Sequence, residues 1–443
     1  MKYGVFGVMP LDDHISFWFV RVVVRRKDEH AQRLYPLDAV PEGRYSIRLV
    51  IDEVYMRNTR IRSVRAIPLE RDLDSVFRGS IYEISSRYTI VTEVELENGV
   101  TGQTFGGDEE KCQKEIVSIV NGPFQDCVIG EDIFNLERLW EAMFNALTPE
   151  LAYRGIHTLD LTNRAIVMQA LAAVDIAIWD AIGKTLGLPL YKLLGGHRDK
   201  LPVIAIGGYY KEGKTEKELA EELLSYKGAG LAGIKFKVGG LSPCDDAERV
   251  RHARQILGDE FVIACDANQG WTVDQALDFC RRIRSLNVRW IEEPVHWYDQ
   301  SLGLAKVREG GGIPVVAGQG EISRFGCRDL VTAGAVDILN FDATIGGGVT
   351  EWRRVAAMAS MFNVGMAHHE EPQIAAHLLA SVSHGLYVEI FPDPDRDPMW
   401  RELPLTHPKI ESGFMYLPQE PGLGFPLNPA ILSKYKIETA RGS

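Results

Sequence analysis

The stretch GIKFKV, residues 233–238, is a short apolar run that follows a helical pattern and a Gly-containing turn, so it predicts a β-strand. Side chains alternate between the two faces of a strand, which places Lys235 and Lys237 on the same side. Each ammonium group disfavours the charge of the other, and partial burial acts in the same direction. A lysine here can therefore be neutral near pH 7 and act as a base, unless the strand face is simply solvated.

Strand and helix patterns alternate on both sides of this stretch as far as about residue 391, as is typical of parallel βαβ units. A long apolar helix, residues 163–187, comes before most of them and should be buried. Eight such strands predict an α/β fold built on a (β/α)8-type TIM barrel, whose catalytic groups lie at the C-terminal strand ends. The strand candidates are LPVIAIGGYY (201–210), GIKFKV (233–238), FVIACDAN (261–268), VRWIEEP (288–294), PVVAGQGE (314–321), VDILNFDA (336–343), NVGMAHH (363–369) and GLYVEIF (385–391).

The barrel is predicted to carry a second, α+β capping domain. We assign residues 59–160 to the capping domain, 161–401 to the barrel, and 402–443 to a C-terminal segment that returns to the capping domain. Residues 1–58 form an N-terminal extension of unknown function with two β-rich runs, which look like a hairpin or edge strands. The capping patterns are strands at 60–69, 88–99 and 100–107, a loop at 78–87, and helices near 108–120 and 131–147.

Composition limits the function classes. The chain of 443 residues is 45% apolar and 25% charged, which is typical of a soluble globular protein. Its net charge of -12 argues against nucleic acid or an anionic membrane surface as a partner. The six cysteines have no metal-ligand spacing and suggest neither a zinc site nor a disulfide framework. Asp12 and Asp13 interrupt the apolar start, so we expect no signal peptide and a cytoplasmic protein.

Polar side chains follow three successive barrel strands at the ends where a TIM barrel has its active site. Asp266 and Asn268 share a face after the third strand, Glu292 follows the fourth, and Gln319 and Glu321 follow the fifth. Carboxylates from three neighbouring strand ends can converge on one hard divalent cation, and Mg²⁺ is the natural occupant. Each carboxylate taken alone is more often a helix cap or a surface ion pair.

The next strand ends carry a candidate acid–base pair. Asp342 follows the sixth strand, and His368 and His369 follow the seventh. A carboxylate beside an imidazole orients it and raises its basicity, although only one of two adjacent histidines can face the barrel axis. Glu389, on the eighth strand, can donate a hydrogen bond to a developing oxyanion if burial keeps it protonated.

A loop of the capping region is the candidate lid. Arg78, Tyr82 and Arg87 lie in a polar and aromatic loop that suits an anionic ligand, although an ordinary surface loop is at least as good an alternative. The candidate rim residues are largely hydrogen-bonding and suit a polyhydroxylated acid: Arg78, Tyr209, Tyr210, Lys211, Asn268, His296 and Trp297.

The ordered set of motifs resembles the mandelate racemase subgroup of the enolase superfamily. It comprises KxK, Asp266 with Asn268, IEEP, a GxGE stretch, FDATIGGG, HHEEPQIAAHLLA and Glu389, over roughly residues 60–430. The spacing of His369 from His377 and Glu389 is particularly specific, and it selects His369 over His368 for the catalytic place. His368 is then grouped with Asn268, Tyr209, Arg78 and Tyr82 as a predicted substrate-binding residue.

The resemblance implies a mechanism and an assembly. Mg²⁺ would bind a substrate carboxylate, acidify its α C–H bond and stabilise the enediolate formed when a base removes the proton. Lys237 would lie on one face of the substrate and the His369–Asp342 dyad on the other. Lys235 would neutralise a carboxylate oxygen and lower the pKa of Lys237. Glu389 would stabilise the enediolate from the side opposite the metal. The family also implies a homo-oligomer.

The sequence departs from the family at the third metal-ligand position. Register places Gln319 there, where the family has a glutamate, whereas charge favours Glu321, two residues further on and on the same strand face. The sequence leaves both residues open as the third ligand.

The leading function is dehydration of a sugar acid, an aldonate or an aldarate, to a 2-keto-3-deoxy acid. Lys237 and a His–Asp dyad permit this elimination, in which His369 protonates the departing hydroxyl. They equally permit a racemase, an epimerase or a lactone cycloisomerase. A catalytically silent carboxylate-binding homologue is the remaining alternative.

Overall fold

The computed structural model describes residues 19–26, 45–52, 58–107, 112–146 and 161–437. The chain forms two compact units, residues 1–60 and 61–443. In the first unit, β1 (Phe19–Arg26) and β2 (Tyr45–Asp52) pair as antiparallel strands, in agreement with the two β-rich runs. The predicted helix start at 108–111, the end of the C-terminal segment at 438–443 and most of the N-terminal extension lie outside the described residues.

A three-stranded antiparallel sheet forms the capping part of the second unit. The segment 78–87, predicted to be a loop, is instead a tight hairpin, because its two strands pair as far as Arg78 and Glu83. The backbone N–H of Gly79 closes the turn by donating to the carbonyl of Tyr82 (3.0 Å). The elements are β3 (Ile61–Arg78), β4 (Glu83–Leu96), β5 (Thr101–Gly106), α1 (Gln113–Val120), α2 (Pro123–Val128) and α3 (Leu136–Ala146).

A long apolar helix, α4 (Leu161–Leu186), lies between the capping sheet and the barrel and leads through α5 (Leu190–Leu193) to the first barrel strand. It is long and apolar enough to cross a membrane, but 89% of its apolar window is buried inside the fold. Ile178 packs in the capping core, whereas Trp179 packs in the main barrel core. The helix is therefore a core helix shared by the two parts.

The barrel consists of eight parallel strands and confirms the predicted fold class. The last strand pairs with the first, and an isolated bridge between Met366 and Gly385 joins the seventh and eighth. Helices cover the outside. The strands are β6 (Lys200–Gly207), β7 (Gly233–Lys237), β8 (Val262–Asp266), β9 (Val288–Glu292), β10 (Val315–Ala317), β11 (Ile338–Leu339), β12 (Gly365–Met366) and β13 (Val388–Ile390). The main helices are α6 (Glu216–Gly228), α7 (Pro243–Leu257), α8 (Val273–Ile283), α9 (Gln300–Gly311), α10 (Arg324–Thr332), α11 (Gly348–Met361) and α12 (Pro372–Ser381).

The C-terminal part of the chain contacts both the barrel and the capping sheet. After α13 (Pro398–Glu402) and β14 (Ile410–Glu411), strand β15 (Phe414–Tyr416) pairs antiparallel with β6. A final helix, α14 (Pro429–Tyr435), leads to Ile437, whose N–H donates to the carbonyl of Pro68 on β3 (3.0 Å).

Candidate active site

The barrel interior is built in layers that the strand period explains. One apolar layer consists of Ile204, Ala264, Trp290, Val316, Ile338 and Ala367. Since side chains alternate, the residue two positions further along a strand faces the same side, one layer nearer the C-terminal end. That second layer is polar and includes Asp266, Glu292, Asn340 and His369, with Glu389 two positions after Tyr387. The alternation of side chains thus places a packed apolar layer beneath a polar layer that forms the site.

Lys235 lies at the centre of this polar layer and is fully buried. Its Nζ donates to Glu292 Oε1 (2.9 Å) and Glu389 Oε2 (2.7 Å), and it lies 3.8 Å from Asp266 Oδ2. Burial disfavours the ammonium form, but the attraction of Glu292 and Glu389 outweighs it and raises the pKa of Lys235 above its ordinary value. Lys235 is therefore a charged group that holds three carboxylates together.

Lys237 is also buried, and its Nζ donates to Asp266 Oδ2 (2.7 Å) and Asn268 Oδ1 (3.1 Å). Burial acts to lower the pKa of Lys237, but the Asp266 carboxylate and nearby tyrosines together hold this pKa well above its ordinary value. The predicted lowering of the Lys237 pKa by Lys235 is therefore not found in this structure. Repulsion from Lys235 is not among the main causes of this shift, and the Asp266 carboxylate is the largest cause that raises the pKa.

Asp342 and His369 form the predicted dyad, with His369 Nδ1 3.2 Å from Asp342 Oδ2. The other carboxylate oxygen accepts from both the backbone N–H and the hydroxyl of Thr344, each at 2.7 Å, which fixes its orientation. Nε2 of His369 lies 3.6 Å from Glu370 Oε1. Burial disfavours the imidazolium, but Glu370 and Asp342 raise the pKa of His369 to about 9. Near neutral pH this histidine is a proton donor.

His368 does not reach the site, which corrects its prediction as a substrate-binding residue. It is fully buried, its Nε2 accepts from the backbone N–H of Ala343 (3.0 Å), and its Nδ1 donates to the carbonyl of His369 (2.9 Å). Both ring nitrogens are thus used within the protein, and burial lowers the pKa of His368.

The structure places Gln319, and not Glu321, toward the site. Asn340 Nδ2 donates to both Glu292 Oε1 (3.1 Å) and Gln319 Oε1 (3.3 Å), so the amide oxygen of Gln319 lies near the predicted metal ligands. The carboxylate of Glu321 packs on Gly326 instead, with Oε2 1.6 Å from the point that a β-carbon there would occupy. Asn340 was not predicted, although it shares a strand face with Asp342 at period 2.

Asp266, Glu292 and Gln319 fit a hard cation by their chemistry, because all three offer oxygen atoms. The set carries two negative charges where three carboxylates would carry three. In the described part of the chain, no three His, Cys, Asp or Glu side chains are gathered closely enough to form a metal-binding group by themselves.

A cavity of about 430 Å³ opens above these residues. Tyr82 covers it from the capping hairpin and donates to Asn268 Oδ1 (3.3 Å), so both predicted substrate-binding residues line the cavity. Tyr209 is buried beside it, with its ring centroid 5.7 Å from Lys237 Nζ. Arg78 is half-exposed and pairs with Glu83 (2.9 Å) away from the lining. The lining residues are Ile81, Tyr82, Ile84, Gly107, Lys237, Asn268, Gln269, Gln319, Asp342, Thr344, Ile345, His369, Glu370, Glu371 and Arg396.

A second group of buried charges lies beside the cavity, and we call it the charged cluster: Arg87, Glu370, Glu371, Arg396 and Asp397. Sequence reasoning placed Arg87 in the candidate lid but missed this grouping. Arg87, on capping strand β4, contacts Glu371 (3.2 Å), Asp397 (3.3 Å) and Glu370 (3.8 Å). Arg396 lies 3.8 Å from Glu370. The two glutamates were visible in the motif HHEEP, but nothing local in the sequence pairs them with Arg396.

Glu370 and Glu371 both have left-handed backbones, with φ of 49° and 48°. This conformation is costly for residues other than glycine, and it persists where the surroundings determine it. Here the following Pro372 begins helix α12, and the charged cluster holds both carboxylates. The strained turn directs both glutamates to the cavity wall.

Comparisons with known proteins find matches over most of the chain. The mandelate racemase / muconate lactonizing enzyme N-terminal domain family matches residues 70–195, and the enolase C-terminal domain-like family matches residues 217–431. A curated relative, the 3,6-anhydro-alpha-L-galactonate cycloisomerase of Streptomyces coelicolor, is 31% identical over 73% of this chain and 85% of its own. The arabinonate dehydratase of Saccharolobus solfataricus is 28% identical over 79% of this chain and 91% of its own.

Solved structures show the same architecture. A mandelate racemase/muconate lactonizing enzyme from a marine actinobacterium, in complex with magnesium, is 43% identical, with a TM-score of 0.78 over 86% of this chain and 99% of the other. The fold, the order of the motifs and these similarities lead to one conclusion. The chain belongs to the enolase superfamily, in its mandelate racemase subgroup.

Proposed function

We propose that this protein is an acid-sugar dehydratase, which removes the α-proton and the β-hydroxyl of a sugar acid to give a 2-keto-3-deoxy acid. The observation that carries the proposal is the pair of proton-transfer groups lining one cavity, Lys237 and His369. The relatives named as acid-sugar dehydratases support the same chemistry.

The proposed reaction assigns one proton movement to each group. Lys237 acts in its neutral amine form, after its ammonium proton has passed to solvent, and accepts the α-proton as the C–H bond breaks. His369 donates its Nε2 proton to the departing β-hydroxyl, which leaves as water when the C–O bond breaks. The enol product then tautomerises to the keto acid. A His369 pKa of about 9 supports the donor role, because the imidazole is already protonated at neutral pH.

Mg²⁺ is the cofactor of the proposed reaction, and Asp266, Glu292 and Gln319 are the residues that would hold it. When bound, the ion would supply positive charge that stabilises the substrate carboxylate as the α-proton leaves. Lys235 donates a hydrogen bond to Glu389 (2.7 Å), and both residues would belong to the polar layer beneath that carboxylate.

The same residues support a second candidate, a racemase, epimerase or lactone cycloisomerase. The curated cycloisomerase relative at 31% identity favours this alternative. The two candidates differ in product: solvent deuterium that enters at Cα without loss of water indicates racemisation or epimerisation. A lactone that opens or forms without loss of water indicates cycloisomerisation. A catalytically silent carboxylate-binding protein would bind the acids and give neither result.

The test is a screen of an acid-sugar library for keto-acid product with Mg²⁺ and with EDTA. We expect product only with Mg²⁺, and a loss of at least about 100-fold in kcat for Lys237→Ala and for His369→Asn. Two exposed residues provide matched controls, Lys217→Ala and His407→Asn, which should retain activity. Keto acid formed equally well in EDTA would disprove the proposal.

The proposed setting is a cytoplasmic homo-oligomer that acts on a small acid. The six cysteines are free thiols, which suits a reducing compartment. An anionic substrate needs a local cationic site, since the protein as a whole carries a net charge of -12.

A further inference from the structure

The cations that line the cavity are already matched by carboxylates of the protein. Lys237 lies 2.7 Å from Asp266, and His369 lies 3.2 Å from Asp342. The third, Arg396, lies 3.8 Å from Glu370. Among the lining residues that the structure describes, each cation thus has an anionic partner within 4 Å.

A fourth cation, Arg87, lies behind the wall and is surrounded by Glu371, Asp397 and Glu370. The charged cluster therefore contains two arginines and three carboxyl groups. Glu371 and Glu370 also line the cavity directly. Burial raises the pKa of Glu371 to about 8, so at neutral pH the two arginines are balanced by Glu370 and Asp397. A second carboxylate on a substrate would therefore meet a wall whose cations are already paired.

The mouth of the cavity is apolar on the capping side. Ile81 and Ile84 come from the capping hairpin, and Ile345 comes from the loop after β11. All three are partly or largely exposed at the opening. The polar rim expected from the sequence is thus replaced here by branched aliphatic side chains, which offer no hydrogen bond to an anion.

We propose that the cavity is built for a monocarboxylic sugar acid, an aldonate whose far end is uncharged, and that it excludes the corresponding dicarboxylic acid. One carboxylate would be met by the polar layer around Lys235 and by the cation that Asp266, Glu292 and Gln319 would hold. The far end of the ligand meets the wall formed by Glu370, Glu371 and Arg396 and the isoleucine mouth. A carboxylate that leaves water without a counter-charge is strongly disfavoured, so the second carboxylate of an aldarate is rejected. This inference rests on the proposed function for the location of the substrate and adds its class.

The experiment measures binding and turnover separately on matched acids. The full-length protein with Mg²⁺ is titrated by calorimetry with a panel of hexonates and the corresponding hexarates, such as gluconate with glucarate and galactonate with galactarate. We expect the best monoacid to bind at least roughly tenfold more tightly than its diacid counterpart. A diacid that binds as tightly as its monoacid counterpart, or a panel in which no monoacid binds, would overturn the inference.

Turnover on the same acids separates this inference from the proposed function. Preferred binding of a monoacid without keto acid, exchange or lactone product supports the selectivity and overturns the dehydratase proposal. Keto acid formed from diacids at equal or higher kcat/KM supports the dehydratase and overturns the selectivity.

A substitution at the mouth tests the physical cause. Ile84→Arg adds an uncommitted cation on the capping hairpin, and we expect it to shift the diacid-to-monoacid ratio of affinities by roughly tenfold toward the diacid. Ile84→Leu keeps the mouth apolar and is the matched control, with an unchanged ratio. Equal ratios in the two variants would show that charge at this wall does not select the substrate, against the inference.

Discussion

Gln319 lies where a carboxylate would give the predicted metal site a third negative charge. Its amide oxygen is held by Asn340, which also donates to Glu292. Affinity for a hard divalent cation rises with the number of charged oxygen ligands. The charge at position 319 should therefore control how tightly this site holds Mg²⁺.

The first prediction concerns this position. Gln319→Glu should lower the dissociation constant for Mg²⁺ roughly tenfold, because a charged oxygen replaces a neutral one. Calorimetric titration with Mg²⁺ measures the change independently of turnover. Glu321→Gln is the control and should have little effect, since that carboxylate packs on Gly326. If Glu321→Gln instead weakened Mg²⁺ binding strongly, Glu321 would be the ligand.

The second prediction concerns the protonation of His369. Burial opposes the imidazolium, whereas Glu370 and Asp342 raise the pKa of His369 to about 9. Activity that needs the protonated imidazole is present below this pKa and is lost as the pH rises through it. Glu370→Gln removes one anion, so the alkaline limb of kcat/KM should move to lower pH by about one unit. The exposed Glu420→Gln is a control in which the limb should stay in place, and an unmoved limb in Glu370→Gln would contradict the assignment.

Residue positions were easier to predict than their ionisation. Lys235, Lys237, Asp266 and Glu292 converge as the strand period required, because alternation and parallel strand ends are local rules. The pKa of Lys237 could not be predicted, because it depends on Asp266 at 2.7 Å from a different strand. The sequence showed the two like charges on one strand and not the opposite charge that outweighs their repulsion.

At the scale of elements, helix α11 is fixed by a residue of helix α4. Asp175 accepts from the backbone N–H of Thr350 (3.0 Å) and from its hydroxyl (2.6 Å), which satisfies a free N–H of the first helical turn. Burial raises the pKa of Asp175 to about 7, although the hydrogen bonds from Thr350 act against this rise. The contact brings the Asp175 carboxylate close to the backbone of Gly348, which has φ of 85°.

The third prediction tests that approach. A β-carbon at Gly348 would lie 2.3 Å from Asp175 Oδ2, whereas at Gly99, also with φ of 85°, it would meet nothing within 4 Å. Gly99→Ala should cost only the backbone strain, about 1 kcal/mol of unfolding free energy. Gly348→Ala should cost at least about 2 kcal/mol more, because the packed helices must also move apart. Denaturant unfolding measures both, and equal losses would show that crowding is unimportant.

The elements of the barrel were predictable, since each strand is a short apolar run that ends in a polar pair or turn. The hairpin at 78–87 was not, because its residues are mostly polar and lack a clear alternating pattern. Pairing between β3 and β4 supplies the order there, and it includes register shifts that a single sequence does not show.

At the scale of the whole molecule, the charged cluster joins the capping sheet to the barrel. Arg87 belongs to β4, the two glutamates follow β12, and Asp397 precedes α13. The side chains of Arg87, Glu371 and Asp397 are at most 5% exposed. Arg396 and Asp397 could not have been predicted as members, because their partners lie far away in the sequence and their loop has no motif.

The fourth prediction follows from this burial. Removing one partner of a buried ion pair leaves uncompensated charge, so Arg87→Met should lower the free energy of unfolding by about 3–5 kcal/mol. Arg65→Met is the matched control on β3, where the arginine is 65% exposed and pairs with Glu93. Arg65→Met should lower the free energy of unfolding by less than about 1 kcal/mol. Thermal or urea unfolding checks both, and similar small losses would mean that the cluster does not hold the two parts together.

Helix α4 has a consequence for anyone who builds hybrids between relatives of this enzyme. One side of the helix packs in the capping core and the other in the barrel core. A hybrid joined at residue 160 therefore takes the capping domain from one protein and the helix that packs against it from another. A capping domain taken from a relative would then pack against an α4 helix whose side chains fit the original capping domain. A working hybrid must carry over the cap-facing side chains, such as Ile178, and retain the host's barrel-facing ones, such as Trp179.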